Sequence, residues 1–277
     1  MSLPLDRLLS RDHARISEAG RTITLLHGHK TERAALLLHG LTASPTQWID
    51  VANALYAQGW NVVATRLPRH GYADRLTDAL AGLTGDELAC RSDEALDAVR
   101  DLGDRISVVG FSVGGMLALR LAQQNALDSV IAIAPFFGWA WLPIALQPLA
   151  MRAVLACANR HVWWDVRLRE NLMPAHGYPR VATHAVANAF ALGALLRESA
   201  KREAPAAKRI VVVLNQREGA VHNGAARGLI DAWSSRGGNA RIHLLTGLPL
   251  SHDIIEPLAQ PALSGRVFNE IMEIITE

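Results

Sequence analysis

Apolar residues follow two rhythms along this chain. Short, nearly continuous Val/Ile/Leu runs occupy residues 33–38, 61–67, 105–111, 129–134 and 209–214. Each has the length of a strand and no polar alternation, as expected of a strand buried on both faces. Shorter strand signals fall at 21–26 and 241–245. Between these runs apolar positions recur every three or four residues, which predicts helices over about 45–58, 85–102, 114–124, 225–235 and 262–275. Gly59 and Gly103 stand where the first two of these should stop. Strands alternating with helices imply an α/β fold, a mainly parallel sheet with helices on both faces. The reactive groups of such sheets lie at the carboxyl ends of the strands.

The alternation breaks between residues 136 and 208. This stretch carries Trp139, Trp141, Trp163 and Trp164, and an Ala/Leu-rich run over 183–200 that reads as helix. It is too long for a plain connection and too apolar for a disordered one. It therefore reads as a helical cap (136–208) inserted into a core domain made of 1–135 and 209–277. The four tryptophans either pack the cap or line the path of a substrate. No charged residue occurs over 130–151, a stretch long enough to span a bilayer. Pro135, Pro143, Pro148 and the strand-like start at 130–134 speak instead for an apolar cap that covers a site or touches lipid.

Composition narrows the picture. A chain of 277 residues, 50% hydrophobic and 19% charged, is globular and can bury one sizeable core. A formal charge of +2 with scattered arginines excludes nucleic acid as a partner. Cys90 and Cys157 lie far apart without metal-binding spacing and read as free thiols in a reducing compartment. The first fifteen residues include Asp6, Arg7, Arg11 and Asp12, unlike a signal peptide, so the expected location is the cytoplasm. No metal or organic cofactor is implied.

The candidate chemistry centres on residues 108–116, a β-branched run that ends in Gly110-Phe111-Ser112-Val113-Gly114 and passes directly into a helix-forming segment. A strand that turns this sharply into a helix brings two backbones together, and glycines flanking the serine remove the colliding Cβ atoms. The turn lifts the Ser112 hydroxyl above the strand ends, beside a helix N-terminus that favours developing negative charge. A serine hydroxyl is a weak nucleophile and requires a base, which in turn requires an orienting carboxylate. On sheets of this type these follow in the order Ser, Asp/Glu, His. His252, just past the last strand signal, is the histidine in that place. Residues 129–164 contain no Asp or Glu, so the acid must come later. Glu218 follows the 209–214 strand after a short turn, and Asp231, inside a predicted helix, is the substitute. The backbone N–H groups of Val113 and of Leu41, in the loop after the 33–38 strand, are the candidate oxyanion donors. His39 reads as a brace for that loop.

Taken together, Leu36-Leu37-Leu38-His39-Gly40-Leu41-Thr42, Arg66-Leu67-Pro68-Arg69-His70-Gly71, Gly110-Phe111-Ser112-Val113-Gly114-Gly115 and Ser251-His252-Asp253 resemble the α/β-hydrolase superfamily. The likeness is to its capped carboxylesterase and monoacylglycerol-lipase-like branch. The stretch Asn215 to Val221 then aligns Glu218 with that family's acid, while Arg69 stands where the family commonly has glycine. The resemblance implies a serine esterase that cleaves a small hydrophobic ester through an acyl-enzyme, with Ser112, Glu218 and His252 as its triad. It implies no cofactor and allows peripheral membrane contact through the cap. The same triad in related families cleaves C–C, thioester or peptide bonds, and some members of the fold only bind ligands; these alternatives stay open here, as does the oligomeric state.

Overall fold

Strands buried on both faces must be covered on both faces, and the chain does so with one central sheet. The computed structural model describes residues 3–167, 176–255 and 261–277. Its main sheet has seven strands: β1 (Ile23–Leu25), β2 (Thr31–Leu38), β3 (Asn61–Thr65), β4 (Gly103–Phe111), β5 (Ser129–Ile133), β8 (Ile210–Asn215) and β9 (Ala240–Leu245). Their order is β1-β3-β2-β4-β5-β8-β9, with β1 antiparallel to β3 and every other pairing parallel. β3, β5 and β8 are buried along their whole length, as are the second halves of β2 and β4. The helices outside residues 136–208 are α1 (Leu3–Leu9), α2 (Ile49–Ala57), α3 (Gly85–Arg100), α4 (Val113–Gln124), α7 (Asn223–Ser234) and α8 (Pro261–Thr276).

Topology decides where the chemistry can sit. From β2 the chain steps to one side to form β3, then returns to form β4 on the other side of β2. The carboxyl ends of β2 and β4 are thus neighbours at the point where the strand order reverses, with Leu38 paired to Gly110. A crevice opens at such a switch point.

Several elements differ from the sequence expectation. Gly103 opens β4 rather than merely ending the helix before it: α3 stops at Arg100, and a two-residue turn puts Gly103 opposite Thr31. Residues Pro45–Trp48 form a 3₁₀ turn ahead of α2, with a proline at its start. The short helix α1 is unanticipated; it buries Leu5 and Leu8 and packs against α3. The 136–208 stretch is not purely helical. Besides α5 (Gln147–Ala156) and α6 (Thr183–Ala200) it contains an antiparallel pair, β6 (His161–Trp163) with β7 (Arg180–Ala182). Neither three-residue strand sits in a longer strand-like run of the kind that marks β1 at 21–26, and residues 168–175 of the stretch lie outside the described residues. No described helix is long and apolar enough to cross a membrane. Cys90 and Cys157 are both free and exposed.

One buried ion pair ties the N-terminal segment to the loop after β3. Asp12 Oδ1 accepts from Arg66 Nε at 2.7 Å and its Oδ2 accepts from the Thr22 N–H at 2.7 Å, with both side chains almost fully buried. Arg66 also donates from Nη1 to the carbonyl of His70 at 3.3 Å. Removing one partner of such a pair leaves an uncompensated charge in the interior. Asp12→Ala is therefore expected to lower unfolding free energy by about 3–5 kcal/mol, measured by urea denaturation against wild type.

Candidate active site

β4 ends at Phe111 and α4 begins at Val113, so Ser112 alone makes the turn. Its backbone sits at φ 54°, ψ −116°, a conformation that costs a non-glycine residue about 1–3 kcal/mol. The surroundings enforce it. A side chain on Gly110 would strike the Gly114 carbonyl, and one on Gly114 would strike the Leu38 carbonyl, so both positions admit only glycine. The Ser112 N–H donates to the Ile133 carbonyl at 2.9 Å, and the Ser112 carbonyl accepts from Met116 and Phe136 at 3.0 Å each. The Val113 N–H, first in the helix, has no acceptor within α4.

The hydroxyl of Ser112 meets His252, which sits 140 residues further along the chain, at 2.9 Å: Ser112 Oγ–H donates to His252 Nε2. His252 Nδ1–H in turn donates to Glu218 Oε2 at 3.1 Å. The His252 ring packs beside Phe111, with centroids 4.9 Å apart. The Glu218 side chain is only 1% exposed, and its other oxygen accepts from the N–H groups of Ala220 (2.8 Å) and Val221 (3.3 Å). Burial opposes charge on this carboxyl. The His252 hydrogen bond and charge, with the two backbone donors, outweigh burial and hold its pKa below the ordinary carboxylate value. Asp231, the substitute acid, lies exposed on α7.

A residue not singled out for any role in the sequence connects the loops that carry Glu218 and His252. Asn215, fully buried at the end of β8, donates from Nδ2 to the carbonyls of Pro249 (3.0 Å) and Ser251 (2.9 Å). Its Oδ1 accepts from the Arg217 N–H at 3.0 Å. A polar residue closing an all-apolar strand was the available signal, because a buried amide must find partners.

The loop after β2 is braced on every side. The trans peptide that joins Gly40 to Leu41 points its C=O and its N–H in opposite directions. The Gly40 carbonyl accepts from His39 Nδ1–H at 2.8 Å and from the Ala43 N–H at 3.2 Å, two bonds that set part of the direction of the Leu41 N–H. The Gly40 N–H donates to Gln47 Oε1 at 3.0 Å. His39 Nε2 accepts from the Leu67 N–H, and His70 Nε2 accepts from the Thr42 N–H, both at 3.1 Å. Gln47, His70 and Thr42 had no assigned role in the sequence. Arg69 adopts φ 64° and closes a forked pair on Glu87 at 2.9–3.1 Å, which holds the loop that delivers His70.

The four tryptophans are placed differently from one another. Trp139 and Trp141 stack with centroids 5.4 Å apart, Trp141 being 70% exposed. Trp163 is half-buried on β6. The Trp164 indole N–H donates to Thr42 Oγ1 at 3.0 Å. Among the described residues no three His, Cys, Asp or Glu side chains gather as a metal site would require.

Both bracing histidines accept a backbone N–H and must stay neutral to do so. Burial, with Arg66 nearby, pulls His70 from 6.5 to about 4, against the opposing hydrogen bond to Pro68. Burial and then His70 lower His39 well below the usual value. Below pH 6.5 the unfolded chain takes up protons that folded His70 refuses, so stability falls as pH drops from 6.5 toward about 4 and levels below. Each such histidine is expected to contribute a slope of about 1.4 kcal/mol per pH unit within its window. Thermal melts from pH 7 to 4 should show this decline, and His70→Gln should make it shallower, leaving the share due to His39.

No curated protein sequence matches the chain. Among solved structures it resembles a metagenome-derived lipolytic enzyme at 16% identity and TM-score 0.70, covering 93% of this chain and 99% of that one. It is similar to a soluble variant of the Saccharomyces cerevisiae monoglyceride lipase at 13% identity and TM-score 0.69, covering 92% and 90%. A third likeness is to the Paleococcus ferrophilus monoacylglycerol lipase at 15% identity and TM-score 0.69, covering 92% and 97%. At these identities the likeness carries the fold. The family model described as the alpha/beta hydrolase family matches residues 35–260, and the chain belongs to that family.

Proposed function

We propose that this protein is a serine hydrolase of carboxylic esters with a hydrophobic acyl or alcohol group, working through an acyl-enzyme. The observation that carries the reading is the unbroken hydrogen-bonded path from Ser112 Oγ through His252 to the buried carboxylate of Glu218. Ser112 Oγ attacks the acyl carbon while His252 Nε2 takes its proton. Glu218 fixes the tautomer that leaves Nε2 free to accept and stabilises the imidazolium that forms. The Leu41 and Val113 N–H groups receive the oxyanion. His252 then protonates the departing alcohol, and after that removes a proton from the water that releases the acid. The lipolytic and monoacylglycerol-lipase activities named for the structural neighbours support an ester over the C–C, thioester and peptide bonds open to the same groups. The apolar character of the 136–208 insertion, with its stacked Trp139 and Trp141, supports a hydrophobic substrate.

Fluorophosphonate labelling of wild type beside Ser112→Ala, with p-nitrophenyl esters of increasing chain length, tests the reading. Labelling should vanish in Ser112→Ala. Glu218→Gln, whose amide favours the wrong tautomer, should lower kcat by about a thousandfold or more with the fold intact. A folded wild type that neither labels nor turns over any ester would refute the assignment in favour of a binding protein. Turnover of a matched thioester or amide at a higher kcat/KM would move the substrate class.

A second reading concerns where the enzyme meets its substrate, and we infer that the insertion rests on an anionic lipid surface. Trp141 and Leu149 are each 70% exposed, with Leu146 and Leu155 close by in the sequence and also exposed. Residues 129–164 contain Arg152 and Arg160 and no acidic residue. A stretch with exposed apolar side chains and only positive charge suits the headgroup boundary of an anionic bilayer. Co-sedimentation with phosphatidylglycerol vesicles and a blue shift of tryptophan emission are expected, both weakened by Leu149→Glu. Neither signal with wild type would remove the membrane contact and leave the esterase reading in place.

A further inference from the structure

Thr42 is the residue after Leu41, and all three of its polar groups are held. Its N–H donates to His70 Nε2 at 3.1 Å, its carbonyl accepts from the Tyr178 N–H at 2.7 Å, and its Oγ1 accepts from the Trp164 indole at 3.0 Å. Its backbone lies at φ 71°, a region where a β-branched residue is strained and stays only if its surroundings hold it. Two of the three restraints come from residues 164 and 178, inside the insertion and 122 or more positions away along the chain.

Tyr178 is itself anchored from the core. Its hydroxyl donates to the Arg69 carbonyl at 3.2 Å and accepts from the Tyr72 N–H at 2.9 Å, and its ring lies parallel to that of His70 with centroids 6.1 Å apart. Burial pushes its phenol up, which keeps that hydroxyl a donor. The same backbone strand is tied to Trp164, whose main-chain N–H donates to the Pro179 carbonyl at 3.1 Å. Trp164 and Tyr178 therefore grip the downstream end of the loop whose upstream end is fixed by His39 and Gln47. Leu41 lies between the two grips.

We propose that Trp164 and Tyr178 are positioning residues through which the insertion sets the oxyanion donor. The Leu41 N–H keeps its full working direction only while the insertion is seated on Thr42, so catalytic competence rises and falls with the seating of the insertion. This rests on the esterase reading, with Leu41 as an oxyanion donor. The indole bond is the adjustable one: Trp164 is 46% exposed, whereas Tyr178 is buried. Loosening a preorganised donor weakens transition-state binding more than ground-state binding.

Trp164→Phe keeps an aromatic side chain but removes the donor together with the pyrrole ring that carries it; Thr42→Val keeps the shape and removes the acceptor. Each variant is assayed with the shortest ester that wild type turns over, and with a trifluoromethyl ketone inhibitor, which binds Ser112 as an oxyanion. Each should lose about tenfold in kcat with KM within about twofold, a fraction of the loss on deleting an oxyanion donor. Inhibitor affinity should fall in the same proportion. The double variant should lose no more than the worse single one, because both remove the same bond. Thr42→Ser, which keeps the acceptor, should recover most of the kcat lost in Thr42→Val. Unchanged kcat and inhibitor affinity in folded variants would overturn the inference and leave the esterase intact, as would losses confined to KM or additive losses. An inert wild type would instead overturn the esterase reading and this inference with it.

Discussion

The constraint on which the molecule depends is the passage of β4 into α4 through one residue. For Ser112 to turn the chain alone, the helix must leave the sheet so close to β2 and β4 that Gly110 and Gly114 can carry no Cβ. That closeness requires β4 to lie beside β2 in the Leu38–Gly110 register. It also requires the end of β5 to offer the Ile133 carbonyl to the Ser112 N–H. The strain at Ser112 is offset by packing over the whole centre of the sheet. In return, a side-chain hydroxyl and a free helix N–H stand side by side without either being able to relax away.

Around that turn the protein separates charge by burial and hydrogen bonding. Glu218 is buried yet kept ionised, because it accepts three hydrogen bonds and faces an imidazole that becomes positive when it takes a proton. His39 and His70 are buried with a backbone donor pointing at one nitrogen each, which keeps them neutral. Residues of one type thus take opposite tasks. His252 is half-buried within reach of Ser112, while the other two serve only as rigid parts of a loop. Geometry, rather than residue identity, sorts them.

Much of this was legible in the sequence. The strand runs mark out the sheet because a strand buried on both faces has no polar alternation to confuse it. Ser112 and His252 follow from chain order: in a parallel sheet, groups that meet at the carboxyl edge must come directly after strands. Glu218 was legible for the same reason, although its contact with His252 was not. What stayed hidden has a common physical character. The bond between Trp164 and Thr42 joins residues 122 positions apart and leaves no periodic trace in either segment. Asn215 acts through its amide on two loops whose course no local pattern encodes. The pair β6–β7 lies outside any longer strand-like run, and α1 takes its stability from packing on α3 more than from its own sequence.

The insertion is also fastened at its beginning. Ala140 N–H donates to the Ala220 carbonyl and His222 N–H to the Gly138 carbonyl, both at 2.9 Å, so its first strand-like residues pair with the loop that carries Glu218. Its later residues fasten to the loop that carries Leu41. For evolution, and for anyone building chimeras, this ties both ends of the 136–208 stretch to the loops of the main sheet. Foreign sequence could be exchanged between Trp141 and Arg160 while the loops that carry Glu218 and Leu41 keep their partners. A transplant cut at the flanking strands, β5 and β8, would carry those partners off with it. Variation in what such a protein accepts should therefore collect in the middle of the insertion, with its two roots held constant.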